Sequence, residues 1–118
     1  MDVITISDVP EDDTPLPIFD GKVTIQPLVT KAMSDSLGMA AVNFSPGART
    51  KLHTHAYDQV LLGTAGKGIL ATETEEHVVT PGMLVHVPTG EVHWHGATKD
   101  SSFTHVSVSL DGETKIFD

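Results

Sequence analysis

Cysteine is absent from the chain. Its absence removes thiol nucleophiles, disulfides and thiolate metal sites together, and leaves His, Asp, Glu and Gln as the side chains able to hold a metal ion. Basic residues are scarce: Lys and Arg total 7 against 16 Asp and Glu, for a formal charge of -9. A surface of that sign repels phosphate backbones and anionic membranes, so nucleic-acid binding is not expected. No apolar run approaches the roughly 20 residues of a membrane span, and no basic segment followed by an apolar one opens the sequence. A cytoplasmic protein is the expectation. Three common catalytic devices are also missing, namely Gly-x-Ser-x-Gly, His-Glu-x-x-His and Gly-x4-Gly-Lys-Ser/Thr. Serine hydrolysis and phosphoryl transfer are set aside on that ground.

What is present fits one ordinary domain. A chain of 118 residues with 39% hydrophobic and 19% charged content buries roughly two-thirds of its unfolded surface without a disulfide or structural metal. From Lys22 onward, short alternating apolar segments recur between turn residues such as Ser45-Pro46-Gly47, Ala65-Gly66, Pro81-Gly82 and Pro88-Thr89-Gly90. Turn signals at about 8–12-residue spacing predict an all-β sandwich or small barrel. Strands are expected at Val23–Pro27, Met39–Phe44, Thr50–His55, Gln59–Thr64, Gly68–Thr72, His77–Val79, Met83–Val87, Glu91–His95 and Phe103–Leu110, with a short helical turn possible only between Thr30 and Leu37. Residues 1–21 read as an arm, with a strand at Val3–Ile6 and an acidic, proline-bearing connector, and residues 22–118 as the barrel domain. An arm of this kind can add a strand to another subunit's sheet, so a homodimer is expected.

The chemistry concentrates in "KLHTHAYDQV" and "PGMLVHVPTGEVHWHG". Alternate residues of a strand face one side, so His53 and His55 form one converging pair and His93 and His95 another. A turn at Ala56-Tyr57-Asp58 is expected to send the next strand back antiparallel, with Gln59 bringing an amide oxygen beside the first pair. Imidazoles with an oxygen donor suit Mn, Fe, Co, Ni, Cu or Zn rather than Ca or Mg. A His-x-His pair alone is more often a surface or satisfied pair than a ligand set.

The wider spacing is more telling. Gly47-x5-His53-x-His55-x3-Gln59-x6-Gly66, followed by Gly82-x5-Pro88-x-Gly90-x2-His93, resembles the two motifs of the cupin family, over roughly residues 38 to 110. The resemblance implies a single jelly-roll-like cupin barrel. Two departures stand out: Gln59 where many cupins carry a glutamate ligand, and Ala97 where the second motif usually ends in asparagine. A neutral amide leaves a dication's charge uncompensated, which strengthens it as a Lewis acid and disfavours its higher oxidation state. "SPGARTKLHTHAYDQVLLGTAGKG" with "PTGEVHWHGA" and "FTHVSV" is similar to the small manganese cupins that include bacterial hydroxynitrile lyases. That likeness implies a metal set of His53, His55, Gln59 and His93, and His105 as base in the penultimate core strand, with a ring pKa suited to proton transfer at neutral pH.

His95 is a second candidate catalytic group, placed nearer the barrel mouth. Ala40, Val42 and Phe44 share a strand face and are expected to wall a substrate pocket with Ser107 and Ser109, which share the face of His105 and Phe103. His77 and His86 fit no motif position and read as structural or exposed. Trp94 points away from His93 and His95 into packing, Tyr57 and Asp58 occupy the ligand turn, Thr50 is a candidate donor to the ligand shell, and Lys51 reads as solvated. Function then divides among a non-redox metal lyase on a small molecule, with Mn first and Fe, Zn, Ni or Co as alternatives, a metal-dependent dioxygenase, and a non-catalytic metal or small-molecule binding module.

Overall fold

The computed structural model describes residues 1–117. Its twelve strands are β1 (Phe19–Asp20), β2 (Val23–Val29), β3 (Leu37–Phe44), β4 (Arg49–Thr50), β5 (Leu52–His55), β6 (Gln59–Gly66), β7 (Gly68–Ala71), β8 (Glu76–Val79), β9 (Leu84–Val87), β10 (Trp94–Ala97), β11 (Phe103–Leu110) and β12 (Thr114–Phe117). They form two five-stranded antiparallel sheets, ordered β1-β4-β10-β7-β8 and β2-β3-β11-β6-β9, and a separate two-stranded ladder of β12 and β5. The all-β expectation holds. Among the described residues no helix is long and apolar enough to cross a membrane.

Alternation builds the barrel interior. In β6 the buried residues are Gln59, Leu61 and Gly63, while Val60, Leu62 and Thr64 face outward. Val42, Phe44, Leu61, Leu70, Val79, Val87 and Phe103 then meet in one buried cluster between the sheets. Fully burying an aliphatic or aromatic side chain of this kind contributes about 1.5–3 kcal/mol each. The opposite face of β3 and β11 supplies a smaller cluster of Leu28, Ala41 and Val106, with Val9 of the arm packed against it.

Several expected elements differ. Val3–Ile6 is not a strand; the arm instead makes one 3-10 turn at Ile6–Asp8. It runs beside β2 of its own chain, with an Asp12–Ile25 bridge and Gln26 Nε2 donating to the carbonyls of Ile6 and Val9. A free strand edge is covered this way, because β2 has no other neighbour on that side. Between Thr30 and Leu37 there is a turn, with Met33 and Ser34 amides donating to the Thr30 carbonyl, but no helix.

Residues 50–55 split at Lys51 into strands of different sheets. The Ala56-Tyr57-Asp58 turn does not close a hairpin either. β5 pairs with β12, whereas β6 pairs with β11 and β9, so the turn carries the chain from one ladder to another. Strand β12, absent from the expected set, is the partner that hairpin reading lacked. Its four residues are exposed or half-exposed, which weakens the burial signal that marks strands in a sequence.

Candidate metal centre

Two strands and one turn bring the motif residues together. His53 and His55 alternate with Leu52 and Thr54 on β5 and are buried. Gln59 opens β6 and faces the same interior. His93 is not inside a strand; it forms an isolated bridge with His53, each donating its amide to the other's carbonyl. The turn that delivers it needs Gly90, whose φ of 82° suits a residue without Cβ. Gly90 also donates its amide to the His55 carbonyl at 3.0 Å, which ties the two motifs directly.

The imidazole nitrogens of His53, His55 and His93 lie within 4.8 Å of one another. Two donors at about 2.1 Å from a shared ion sit at most about 4.2 Å apart, so shifts of a few tenths of an ångström per ring bring all three into range. Tautomers are fixed by the partners. His53 and His93 donate Nδ1–H to the carbonyls of Lys51 and Glu91, each at 2.8 Å, because a carbonyl oxygen can only accept. Their Nε2 lone pairs are thereby left free. His55 Nε2, His93 Nε2 and Gln59 Oε1 are buried with no hydrogen-bond partner. Orphaned acceptors of this kind cost about 1–3 kcal/mol each unless something satisfies them. A divalent cation can take up the lone pairs of His53 and His93, that of His55 in its Nδ1–H tautomer, and the amide oxygen together, so the residues fit one.

Burial keeps the rings neutral. Loss of solvent pushes His53 and His55 down to about 4, with the His93 charge adding to it. His93 is lowered for the same first reason. Neutral imidazole is the form that ligates.

Beside the cluster stands a second pair of rings. His105 Nε2 and His95 Nδ1 are 3.0 Å apart in the interior. The His95 ring is 5.5 Å from His53 and 5.8 Å from His93, and 4.8 Å from His105, so it lies between the cluster and His105. His95 is therefore not nearer the mouth, as the sequence suggested; it is buried, with its amide donating to Thr50 Oγ1. That bond also corrects Thr50, whose hydroxyl anchors the His95 backbone. His105 differs in a second respect. Burial between Phe44 and Phe103 pushes it down to about 3, well away from the near-neutral value expected for it.

The expected pocket divides in two. Val42 and Phe44 are buried in the main core, Phe44 against both His95 and His105. Ala40, Ser107 and Ser109 line a cavity of about 360 Å³ at the end of β3 and β11, with Val29 and Met39. A second cavity of about 140 Å³ reaches His93 from between β7 and β9, past Glu91, Val85 and Leu70. The remaining residues are placed as follows. His77 and His86 are exposed and paired with Glu75 at 3.1 Å and Asp58 at 3.0 Å. Trp94 packs under the Arg49 guanidinium at 3.6 Å, away from the cluster. Lys51 is not merely solvated, since its ammonium donates to the Pro17 carbonyl. Tyr57 stacks on the His55 ring at 4.9 Å. The residue that sequence reasoning missed is Thr114, whose Oγ1 is 2.8 Å from His55 Nδ1.

Comparison with known proteins agrees with this architecture. The cupin domain model matches residues 40–109. Over 100 residues, 80% of this chain and 75% of the other, the sequence is 41% identical to an (R)-mandelonitrile lyase from Granulicella tundricola. A cupin-like protein from Thermotoga maritima superposes with a TM-score of 0.81 at 30% identity, covering 99% of this chain and 89% of that one. A polyketide cyclase from Streptomyces resistomycificus shares the fold at a TM-score of 0.89 and 18% identity, covering 100% of this chain and 86% of that one.

Proposed function

Because the chain belongs to the cupin family, and gathers three imidazoles and an amide oxygen inside the barrel, we propose that it is a cytoplasmic metal-dependent lyase whose substrate is a small cyanohydrin. The observation that carries the reading is the convergence of buried, unpartnered His55 Nε2, His93 Nε2 and Gln59 Oε1 next to a hydrogen-bonded His95–His105 pair. The similarity to a mandelonitrile lyase supports the substrate class. His53, His55, His93 and Gln59 would hold the ion, with Mn the first candidate and Fe, Zn, Ni or Co the alternatives. A divalent ion there supplies a Lewis acid for a substrate oxygen. The neutral amide of Gln59 favours that use over a change of oxidation state.

The chain's own groups handle the proton. His95 accepts the hydroxyl proton at Nε2, the nitrogen not engaged by His105, in the tautomer whose Nδ1–H is donated to His105 Nε2, 3.0 Å away. The O–H and C–C bonds break, C=O forms, and the proton leaves on cyanide. Desolvation lowers the basicity of both rings, so the proton does not rest on them and returns readily to the leaving carbon. The substrate enters through the cavity of about 140 Å³ that reaches His93 past Glu91, Val85 and Leu70.

Metal content of purified protein, followed by cyanohydrin cleavage run beside oxygen uptake on small phenols and diketones, tests this. The expected result is a bound divalent metal, cleavage, and no oxygen uptake. His95→Ala and His105→Ala are expected to keep the metal and lose about 10²–10⁴-fold in turnover, while His93→Ala loses the metal. Oxygen uptake without cleavage would replace the lyase with a dioxygenase, and metal binding without either activity with a binding module.

A further inference from the structure

Two of the three converging rings are oriented from within their own local segment. His53 and His93 each donate Nδ1–H to a carbonyl two residues upstream. His55 is different: its Nδ1 partner is the hydroxyl of Thr114, 59 residues later in the chain. Thr114 opens β12, which pairs only with β5, in the register Thr114 with His55, Lys115 with Thr54, Ile116 with His53 and Phe117 with Leu52. The residues just before it close round the same ring. Ala56 donates its amide to the Glu113 carbonyl at 2.9 Å. Gly112 lies so near Tyr57 that a Cβ would come within 2.9 Å of its ring, and Tyr57 in turn stacks on His55.

We infer that Thr114 is a positioning residue for the metal centre, accepting the Nδ1–H of His55 so that the Nε2 lone pair faces His53, His93 and Gln59. The inference rests on reading that cluster as a metal site. A hydroxyl can donate or accept, so the bond alone leaves two tautomers of His55. Only the one with hydrogen on Nδ1 presents a lone pair at Nε2, and metal-binding imidazoles characteristically give their other N–H to such a partner. Strand β12 thus supplies the hydrogen bond that selects the tautomer of His55, and metal affinity depends on a short, largely exposed ladder.

The test uses the full chain and Mn²⁺ alone, titrated by the EPR signal of the free ion, with Thr114→Val and Thr114→Ser. Valine keeps the β-branched shape and removes the hydroxyl; serine keeps the hydroxyl. Thr114→Val is expected to weaken Mn²⁺ binding about 10–100-fold, and Thr114→Ser to stay near wild type. In the metal-free chain, ¹⁵N shifts of His55 should report one tautomer in wild type and Thr114→Ser, and a mixture in Thr114→Val. Unchanged affinity and tautomer in Thr114→Val would overturn the inference, as would an equal loss in Thr114→Ser, which would point to packing. A wild-type chain that takes up no divalent metal would instead remove the metal reading on which it rests.

Discussion

At His53 and His55 the decisive force is loss of water, which holds both rings near about 4, against an ordinary value of 6.5, despite the bond from His53 to Lys51 that acts the other way. In the unfolded chain these rings take up protons near 6.5; in the folded chain they do so only near 4. Between those values the unfolded state holds more protons, so acid favours it. Above 6.5 both states are neutral and the contribution to stability is fully present. Chelator-stripped protein should therefore show a flat Tm above pH 6.5 and a fall as the pH drops toward about 4. A Tm that stays level across that window would mean that the rings are solvated. Strand alternation paired His53 with His55 and His93 with His95, and the resemblance to the cupin motifs then selected His53, His55, Gln59 and His93. Neither could name Thr114, because nothing in residues 111–117 says which strand they pair with.

Between elements, the contacts that hold the two sheets at working distance are made where a side chain is missing. Gly68 on β7 faces the ring of Phe103 on β11, and a Cβ there would sit 2.3 Å from Phe103 Cδ2. Gly96 on β10 lies similarly against Ala48 and Arg49, where β4 pairs with it. Since Phe103 is fully buried against Phe44, it has little room to yield. Gly68→Ala is expected to cost about 1–3 kcal/mol, read as a lower denaturant midpoint with an unchanged m-value; an unaltered midpoint would show that the sheets can part. Beside the site, the β11–β6 ladder shifts register between Thr104 and His105. A bulge re-aims side chains, and here it sets His105 opposite Gly63, where the facing position carries no side chain. That shift was not legible beforehand, because the extra residue lies at the exposed Thr64–Gly66 end of β6, where no apolar alternation marks it.

Across the whole molecule, one sheet carries an apolar stretch on its outer face as well as its inner one. The outer side of the β2-β3-β11-β6-β9 sheet carries Met39, Val108, Leu110, Leu62 and Leu84, of which Leu84 is 60% and Leu110 51% exposed. An antiparallel sheet open to water normally alternates apolar-in and polar-out. The arm covers only the Val9 and Leu28 end. We propose that a second copy covers the remainder, where Leu62 and Leu84 are directly paired across β6 and β9. Light scattering at micromolar concentration should give a dimer for wild type and a monomer for Leu84→Lys. A wild-type monomer would sink this arrangement. Within one chain the arm's hydrogen bonds are made to its own β2, so the proposed contact through this face does not require an exchange of arms.

Sequence by itself determined the all-β class, most strand positions and the histidines that converge in the barrel, because strand alternation and turn residues are local properties and the motif spacing is written along the chain. Tertiary structure alone decided that the ligand turn crosses between ladders, that His95 stands between the cluster and His105, and that a C-terminal threonine orients His55. Those depend on which distant segments become neighbours and on how much water they exclude, and neither quantity is carried by any window of the sequence.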